Sequence, residues 1–421
     1  MDRANQSIYG VKRSINGTSF FHSPDYINGT NVLAYLNDTY EVRTGATGLL
    51  DDFVRTDGTR FVIGRDGCDF VFAGFNLWQA VELATNTPMG RRNPYPGRFH
   101  LNNLLNEAVA AGFTVIRVWG HTVVPGRELM SEPGVYNEEI FHGIDYILDE
   151  ARKRGLKIEM IFADNWKDVG SVKQFANNFS TSTGDFFSQE VVTLYKNHLR
   201  VVLNRVNSIN GITYKNDPTI MAWNLANELR CKDCDSSVMQ SWIEDICSAV
   251  KTEGTKQMVS IGTEGFYGPD SPKRKYNPGE HNDNQWASKE GQDFVTNSQT
   301  ACIDFASIHV WPDNWNLVTA EFQTEFIMQH VEDAQLMNKP LILEEFGKVG
   351  SDRDKIPFIL AALEVAERVA SLGGSLRGTL FYHLYDTGIG PGDYGIWSNM
   401  TTFSVLKDYA RAMNDLSGCL V

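Results

Sequence analysis

Short apolar segments rich in β-branched and aromatic residues recur along the chain from residue 70 onwards. There are eight, at residues 70–76, 113–119, 156–162, 219–225, 257–261, 304–310, 340–346 and 377–382. Segments with helical periodicity separate them, such as 100–112 and 140–155, and each of these two ends in a glycine, as helices often do. Near-continuous apolar strands that alternate with helices indicate a parallel sheet covered by helices. Eight such units predict a closed (β/α)8 TIM barrel of the α/β class.

The alternating pattern predicts one barrel domain over residues 49–421. Residues 1–48 are rich in Asn, Gly, Ser, Thr and Tyr and show little periodicity, so we interpret them as an N-terminal extension. No G-x-G-x-x-G or G-x-x-x-x-G-K-[ST] motif opens a predicted helix. Nucleotide-binding folds therefore lose support.

The charge of the chain bears on its partners. Its 421 residues carry a net charge of −14, with a pI of about 5.1. An acidic protein is repelled by the phosphate backbone and by anionic lipids. The chain also lacks the apolar run of about 18 residues that a membrane span needs. We therefore expect neither a nucleic acid nor a membrane as partner, and we expect a monomer.

Glycosylation sequons bear on the compartment. The first ten residues lack the apolar segment of a signal peptide. Asn-X-Ser/Thr sequons occur at Asn5, Asn16, Asn28, Asn37, Asn178 and Asn399. Their clustering near the N-terminus favours a secreted, N-glycosylated protein whose signal is not part of this chain. An Asn/Thr-rich cytosolic tail is the alternative.

The chain has six cysteines, and two of them, Cys231 and Cys234, form a CxxC motif. No second CxxC or close histidine pair completes a zinc site, so we interpret this motif as a short structural disulfide. The sequence does not choose among the three possible pairings of the others, which are Cys68, Cys247, Cys302 and Cys419.

Polar and aromatic residues cluster where the predicted strands end. In a barrel these ends converge on one face, which is where active sites lie. The candidates are Asn76, Arg117, Trp119, Trp166, Asn227, Glu228, Arg230, Glu264, His309, Trp311, Glu345 and Tyr382. Carboxylates and amides bind hydroxyl groups, and aromatic rings stack on the C–H faces of sugars. The pattern predicts a neutral, hydroxyl-rich ligand, with no metal and no cofactor.

Two glutamates in this group, Glu228 and Glu345, lie at the ends of the fourth and seventh strands and should face each other across the mouth. Carboxyl groups roughly 5–5.5 Å apart define retaining glycoside hydrolysis. An isolated Asn-Glu pair is usually a solvated turn, but a second carboxylate in the same barrel favours catalysis. Strand alternation places Glu344 on the opposite face from Glu345, so we assign Glu344 a structural salt bridge. The histidines His121 and His383 are interpreted as structural.

Four segments carry a family resemblance. They are YKNDPTIMAWNLANELRC (214–231), EGFYG (264–268), IDFASIHVWPDNW (303–315) and ILEEFGK (342–348). In this order and spacing they resemble the eukaryotic endo-β-1,4-mannanases of glycoside hydrolase family 5, clan A. The match extends over roughly residues 50–410 and is far more specific than a single Asn-Glu dipeptide.

The resemblance implies roles for the central residues. Glu228 would be the acid/base, Glu345 the nucleophile, and Asn227 the residue that holds the sugar's 2-hydroxyl. Arg117 and His309 would orient and polarise the nucleophile, and the charge of Arg117 should keep it ionised.

The resemblance also implies an outer part of the site. Arg230 and Glu264 match positions that contact sugar on the leaving-group side, and Trp166 matches a stacking aromatic residue. Fungal members carry Cys-x-x-Cys after the same motif, which supports a disulfide between Cys231 and Cys234.

The chain departs from the family pattern at five positions. Leu229 replaces a proline, and His121 and Thr122 replace Phe and Asn. Trp311 stands where the family has the tyrosine that hydrogen-bonds the nucleophile, and Tyr382 stands where it has a tryptophan. The resemblance implies an endo-β-mannanase acting on mannan, glucomannan or galactomannan. The alternatives are a β-1,4-glucan-directed endoglucanase or transglycosylase on the same fold, and a glycan-binding protein that has lost turnover.

Overall fold

The computed structural model describes residues 52–87, 96–167, 169–180, 185–280, 285–317, 319–385 and 394–418. The predicted N-terminal extension, residues 1–48, lies outside the described residues.

Eight parallel strands form one sheet, and each overlaps an apolar segment that the pattern predicts. They are β1 (Phe72–Asn76), β2 (Val115–Trp119), β3 (Lys157–Ile161), β4 (Ile220–Asn224), β5 (Met258–Ser260), β6 (Ala306–Val310), β7 (Leu341–Phe346) and β8 (Leu376–Phe381). The strand order is β5-β4-β3-β2-β1-β8-β7-β6. The two edges meet, because the amide of Asp304 donates to the carbonyl of Val259 at 2.9 Å and that of His309 to Glu264 at 3.2 Å. The predicted (β/α)8 barrel is confirmed.

Helices cover the outside of the barrel. In the described part of the chain they are α1 (Ala80–Ala84), α2 (Gly97–Ala111), α3 (Glu138–Lys153), α4 (Gln189–Leu203), α5 (Ser236–Thr252), α6 (Phe294–Ser298), α7 (Ala320–Met337), α8 (Asp352–Ser371) and α9 (Thr401–Leu416). Helix α2 ends at Gly112, whose left-handed φ of 95° suits glycine. Within the described residues, no helix is both long enough and apolar enough to cross a bilayer.

Burial explains the continuous apolar character of the strands. In β2, β3 and β4 every residue is buried, because one face of each strand fills the barrel and the other packs on the helices. Each helix needs only one apolar side. In α3, for example, Ile140, Ile144, Ile147 and Leu148 are buried at helical spacing.

A small antiparallel sheet closes the barrel at the end opposite the site. Its strands are Arg55–Asp57, Arg60–Ile63 and Cys68–Asp69. Phe61 from this sheet packs on Phe72 at the start of β1 and on Phe305 just before β6, with ring centroids 5.7 and 5.3 Å apart. This apolar plug leaves the carboxyl ends of the strands as the open face.

The disulfide between Cys231 and Cys234 is present, as predicted. A second disulfide joins Cys247 in α5 to Cys302 before β6, which the sequence alone left open. Cys68 is disulfide-bonded as well. Cys419 lies outside the described residues.

Candidate functional site: a carboxylate pair at the barrel mouth

The residues predicted for the site are linked to one another at the carboxyl ends of the strands. Hydrogen bonds, ion pairs and ring contacts connect them into one network. Glu228 and Glu345 lie at its centre, with His309 between them.

The backbone after β4 is held on both sides. The amide of Asn227 donates to the carbonyl of Ala163 at 2.8 Å, and the amide of Glu228 donates to the carbonyl of Gly262 at 2.6 Å. Glu228 has a left-handed φ of 50°. This conformation is unfavourable for a residue other than glycine and is found most often at functional sites. The neighbouring strands thus fix the carboxyl group that the sequence places there.

The carboxylate of Glu228 accepts three N–H hydrogen bonds. Nδ1 of His309 lies 2.7 Å from Oε1, and Nε1 of Trp311 lies 3.1 Å from the same oxygen. Nε1–H of Trp166 donates to Oε2. Burial raises the pKa of this carboxyl, but the hydrogen bond and charge of His309 and the charge of Arg230 outweigh it, so the pKa is lowered.

Glu345, the penultimate residue of β7, shares the same space. Arg117 donates to its Oε1, and Nδ1 of His309 lies 3.6 Å from its Oε2. Burial raises the pKa of Glu345 to about 7, against the charges of His309 and Arg117. This differs from the expectation that Arg117 keeps Glu345 ionised. Burial and the carboxylates of Glu228 and Glu344 outweigh the guanidinium.

The spacing of the two carboxyl groups indicates the type of chemistry. One oxygen of Glu228, one oxygen of Glu345 and one ring nitrogen of His309 all lie within 4.8 Å of one another. Retaining glycosidases hold their carboxyl groups about 5–5.5 Å apart, whereas inverting enzymes hold them about 6.5–9.5 Å apart. The pair therefore matches a retaining site. Groups this close titrate as one unit.

Glu344 corrects the prediction from strand alternation. Leu343 pairs with Ile308 while Glu345 pairs with His309, so β7 holds one extra residue at this point. Such a bulge turns both glutamates inward. Glu344 forms the expected salt bridge, to Arg117 at 3.2 Å, but inside the barrel rather than on the opposite face.

His309 bridges three carboxyl groups. Its Nδ1 faces Glu228, and its Nε2 lies 2.8 Å from Oε2 of Glu344. Burial lowers the pKa of His309, but Glu345, Glu228 and Glu344 together raise it to about 10. The imidazole is therefore a cation that donates from both ring nitrogens.

Arg117 and two asparagines support this centre. Arg117 donates to Oδ1 of Asn76 at 3.1 Å and to Oδ1 of Asn227 at 2.7 Å. Nδ2 of Asn227 in turn donates to Asp164 at 2.8 Å. Arg117 and Asn76 are both 0% exposed, and Arg117 positions its neighbours through these hydrogen bonds, whereas the contact of these two residues with a substrate stays a prediction.

A second group lies beside Glu228, towards solvent. Arg230 forms a two-point ion pair with Glu264, at 2.7 and 2.6 Å. Its guanidinium lies 4.8 Å from the ring centroid of Trp166 and 5.2 Å from that of Trp286. Gln292 holds the other oxygen of Glu264 at 2.6 Å. Trp166 is 49% exposed and can meet a ligand, whereas Glu264 is fully buried.

Aromatic rings form the opposite wall. Tyr382 packs edge-to-face on Trp311 and on Trp119, with centroids 5.0 and 6.4 Å apart. The Arg117 guanidinium lies 5.2 Å from the Trp119 ring. Burial raises the pKa of Tyr382, and the charges of Glu345 and of other nearby carboxylates raise it further.

Three site residues were absent from the predicted set. Asp164 follows β3 by three residues, so its place at a polar strand end was the signal for it. Trp286 and Gln292 lie in the long connection between β5 and β6. No pattern in that connection marks them.

The two histidines interpreted as structural are buried. Burial lowers the pKa of His121 to about 4 and that of His383 to about 3, so both are neutral. His121 packs against Gly170 in the loop that carries Trp166.

Glu228, His309 and Glu345 also form the one cluster in the described ranges with ligand atoms close enough for a metal ion. With its pKa raised to about 10, His309 keeps both ring protons at neutral pH and donates them to Glu228 and Glu344. The cluster is therefore suited to hydrogen bonding and proton transfer.

The chain is similar to known proteins of one family. Residues 51–185 and 176–368 match the family described as GH family 5 beta-mannosidase-like. Putative mannan endo-1,4-beta-mannosidase 4 of Arabidopsis thaliana is 33% identical over 391 residues, which cover 86% of this chain and 91% of the relative. Mannan endo-1,4-beta-mannosidase 1 of Oryza sativa subsp. japonica is 36% identical over 363 residues, which cover 80% of this chain and 79% of the relative.

Solved structures show the same fold. The endo-1,4-beta-mannanase from Rhizomucor miehei matches with a TM-score of 0.69 at 24% identity, covering 86% of this chain and 99% of that one. From the family match, and from relatives aligned over most of their length, the chain belongs to the β-mannosidase-like group of glycoside hydrolase family 5.

Proposed function

We propose that the protein is an endo-β-1,4-mannanase that cleaves mannan, glucomannan or galactomannan with retention of configuration. The observation that carries the proposal is the pair of Glu228 and Glu345, which share His309 within 4.8 Å at the open end of the barrel. The names of the Arabidopsis and rice relatives support mannan as the substrate.

In the first step Glu345 attacks the anomeric carbon of the bound sugar. A bond forms between its carboxylate oxygen and that carbon while the glycosidic C–O bond breaks. The bonding electrons pass to the leaving oxygen, which takes the proton of Glu228. The product is a glycosyl ester on Glu345, together with a shortened chain.

In the second step Glu228, now a carboxylate, takes a proton from water as the water oxygen attacks the anomeric carbon. The ester bond to Glu345 breaks, and its electrons return to the carboxylate. A sugar hydroxyl in place of water would give transglycosylation by the same route.

The proton of the pair must be on Glu228 when the reaction starts. In this structure three donors favour ionised Glu228 and leave the raised pKa on Glu345. A substrate oxygen that takes the place of the Trp166 donor at Oε2 removes one donor that favours ionised Glu228, and so favours the protonated acid. We propose that substrate binding moves the shared proton to Glu228.

Other residues would hold the sugar. Asn227 gives one N–H to Asp164, and its amide has a second N–H for the 2-hydroxyl. The exposed ring of Trp166, backed by Arg230, offers a stacking surface on the leaving-group side. Trp119 and Tyr382 line the opposite wall.

We also propose that the protein is a secreted, N-glycosylated monomer. Two of its sequons, at Asn178 and Asn399, lie at exposed positions. The other four lie outside the described residues. A loss of mass on treatment with an N-glycanase, and the molar mass from light scattering, test these two properties.

The function is tested with the substitutions Glu228→Gln and Glu345→Gln. Each keeps the shape of the side chain and removes the acid or the nucleophile, so each should abolish turnover of mannan while the protein stays folded. The matched control is Glu367→Gln, on the exposed side of α8, which should leave turnover unchanged. Reducing sugar released from mannan is the measurement.

A panel of substrates separates the alternatives. Release of products from mannan, glucomannan and galactomannan but not from carboxymethylcellulose supports the proposal. Preference for carboxymethylcellulose would instead indicate a glucanase. Binding to mannan without any product would indicate a glycan-binding protein, and full activity in either glutamine variant would contradict the assigned roles.

A further inference from the structure

Trp311 makes a contact that the family pattern does not predict. Its Nε1 lies 3.1 Å from Oε1 of Glu228. An indole has a single N–H and no other donor. Because Trp311 uses that N–H on Glu228, it has none for Glu345, the carboxyl that the family's tyrosine would contact.

The indole is held in this orientation. The rings of Tyr382 and Tyr394 pack edge-on against it, with centroids 5.0 and 4.9 Å away. Gly347 lies on a further side, where an added Cβ would come within 3.2 Å of the indole Cζ3. Trp311 is only 7% exposed, so the ring cannot swing out without displacing these neighbours.

The two oxygens of Glu228 have different partners. Oε1 accepts from two buried donors, His309 at 2.7 Å and Trp311 at 3.1 Å. Among the described side chains, only Trp166 donates a hydrogen bond to Oε2, and Trp166 is 49% exposed. A ligand can therefore replace the donor at Oε2 but not the donors at Oε1.

We infer that Trp311 is a positioning residue for Glu228: with His309 it holds Oε1, so that Oε2 is the oxygen that delivers the proton to the leaving group. The inference rests on the proposed function, in which Glu228 is the acid/base. The leaving oxygen then approaches from the side of Trp166 and Arg230, and takes the proton from Oε2 as its bond to the anomeric carbon breaks.

The same contact sets the direction of a pH effect. An N–H that donates to a carboxylate favours its ionised form. Loss of the Trp311 donor should therefore raise the pKa of the carboxylate pair and move the alkaline limb of activity to higher pH. A residue that only supports the fold would not move this limb.

The test is Trp311→Phe, which keeps an aromatic ring against Tyr382 and removes the N–H. Two substrates are compared: mannohexaose, whose leaving sugar needs a proton, and 2,4-dinitrophenyl β-mannobioside, whose leaving group does not. We expect kcat/KM on mannohexaose to fall by about 10- to 100-fold, within the range that general acid catalysis contributes. On the dinitrophenyl substrate it should stay within about twofold of wild type, because that leaving group departs without help from an acid.

Two further variants distinguish an error in the proposed role of Glu228 from an error in the role of Trp311. Glu228→Ala should show the same dependence on the leaving group, only more strongly. If it does not, the proposed role of Glu228 is wrong. Trp242→Phe makes the same exchange at a buried position in α5, where the ring packs on Phe186 and Tyr195, and should leave kcat/KM on both substrates unchanged.

The inference is overturned if Glu228→Ala keeps kcat/KM on the dinitrophenyl substrate while Trp311→Phe lowers kcat/KM equally on both substrates. Trp311 would then act on the nucleophile or on the sugar. The inference is also overturned if Trp311→Phe keeps wild-type rates on both. Should the phenylalanine variant fold poorly, as judged by circular dichroism, the comparison is made with Trp311→Leu, which also removes the N–H and from which the same result is expected.

Discussion

Two cations and three carboxyl groups meet at the mouth of the barrel. Arg117 and His309 face Glu228, Glu344 and Glu345, and all five side chains are buried. Burial disfavours unbalanced charge, so the group retains a proton. Glu159, whose pKa is raised by burial and by Glu344, adds a fourth buried carboxyl to this group, and the excess of carboxyl groups over positive charge provides an acid and a nucleophile in one place.

The retained proton determines how activity depends on pH. With the pKa of Glu345 raised to about 7, the pair loses its last proton near neutrality, and above that pH no acid remains for the leaving group. We expect kcat/KM on mannan to fall about tenfold per pH unit on this limb. His309 stays charged, because its pKa is raised to about 10 and lies above this range.

The measurement is kcat/KM across the pH range at constant ionic strength. A protein incubated at each pH and returned to neutrality serves as the control for unfolding. Activity that stays constant well above neutral pH would contradict a shared proton with this pKa.

Local irregularities of strands and loops place the reactive groups. The extra residue in β7 turns both Glu344 and Glu345 inward, and the left-handed backbone at Glu228 aims its carboxyl at them. The loop after β3 brings Trp166 to Oε2 of Glu228. A hydrogen bond of 3.2 Å from the amide of Asp164 to the carbonyl of Gly170 holds that loop.

We predict that a methyl group added at Gly170 displaces this loop. In Gly170→Ala the new Cβ would come within 1.9 Å of Nδ1 of His121, at a φ of 65°. The loop must therefore shift, at a cost of about 1–3 kcal/mol in the free energy of unfolding. Because Trp166 moves with it, kcat/KM on mannohexaose should fall by up to about 100-fold.

The matched control is Gly254→Ala, where φ is 75° but nothing lies within 4 Å. It carries the backbone strain without the collision and should keep full activity. Adding His121→Ala to Gly170→Ala should recover part of the loss, since the colliding ring is gone. Unchanged kinetics in Gly170→Ala would show that the loop position does not matter for turnover.

The whole barrel depends on closing one seam. The strand order ends at β5 and β6, which are joined by the amides of Asp304 and His309. The disulfide between Cys247 and Cys302 links the helix before β5 to the segment before β6, and so crosses this seam. The barrel scaffold that aligns the strand ends is stabilised there by a covalent bond.

The two disulfides should differ in their effect on stability. The bond between Cys247 and Cys302 spans 55 residues, and that between Cys231 and Cys234 spans three. By lowering the entropy of the unfolded chain, the long loop should add about 4 kcal/mol to the free energy of unfolding, and the short loop under about 2 kcal/mol. The double alanine variants, compared with wild type by urea unfolding, measure these losses. Equal losses would contradict the entropic account.

The sequence by itself determined the eight strands, their order and the two catalytic candidates. A parallel strand buried on both faces must be apolar along its whole length, so each strand is visible as a continuous run, as at residues 219–225. Polar residues that interrupt the end of such a run, like Glu228 and Glu345, are visible for the same reason. The barrel geometry then brings them together without further information.

Only the tertiary structure decided which atoms meet. The inward turn of Glu344, the pairing of Cys247 with Cys302 and the use of the Trp311 N–H on Glu228 each depend on residues distant in sequence. The side-chain alternation of an ideal strand does not anticipate a bulge, and residue identity does not reveal which of two carboxylates an indole will reach. These contacts are set by packing across the barrel, where each side chain takes the one position that its neighbours leave open.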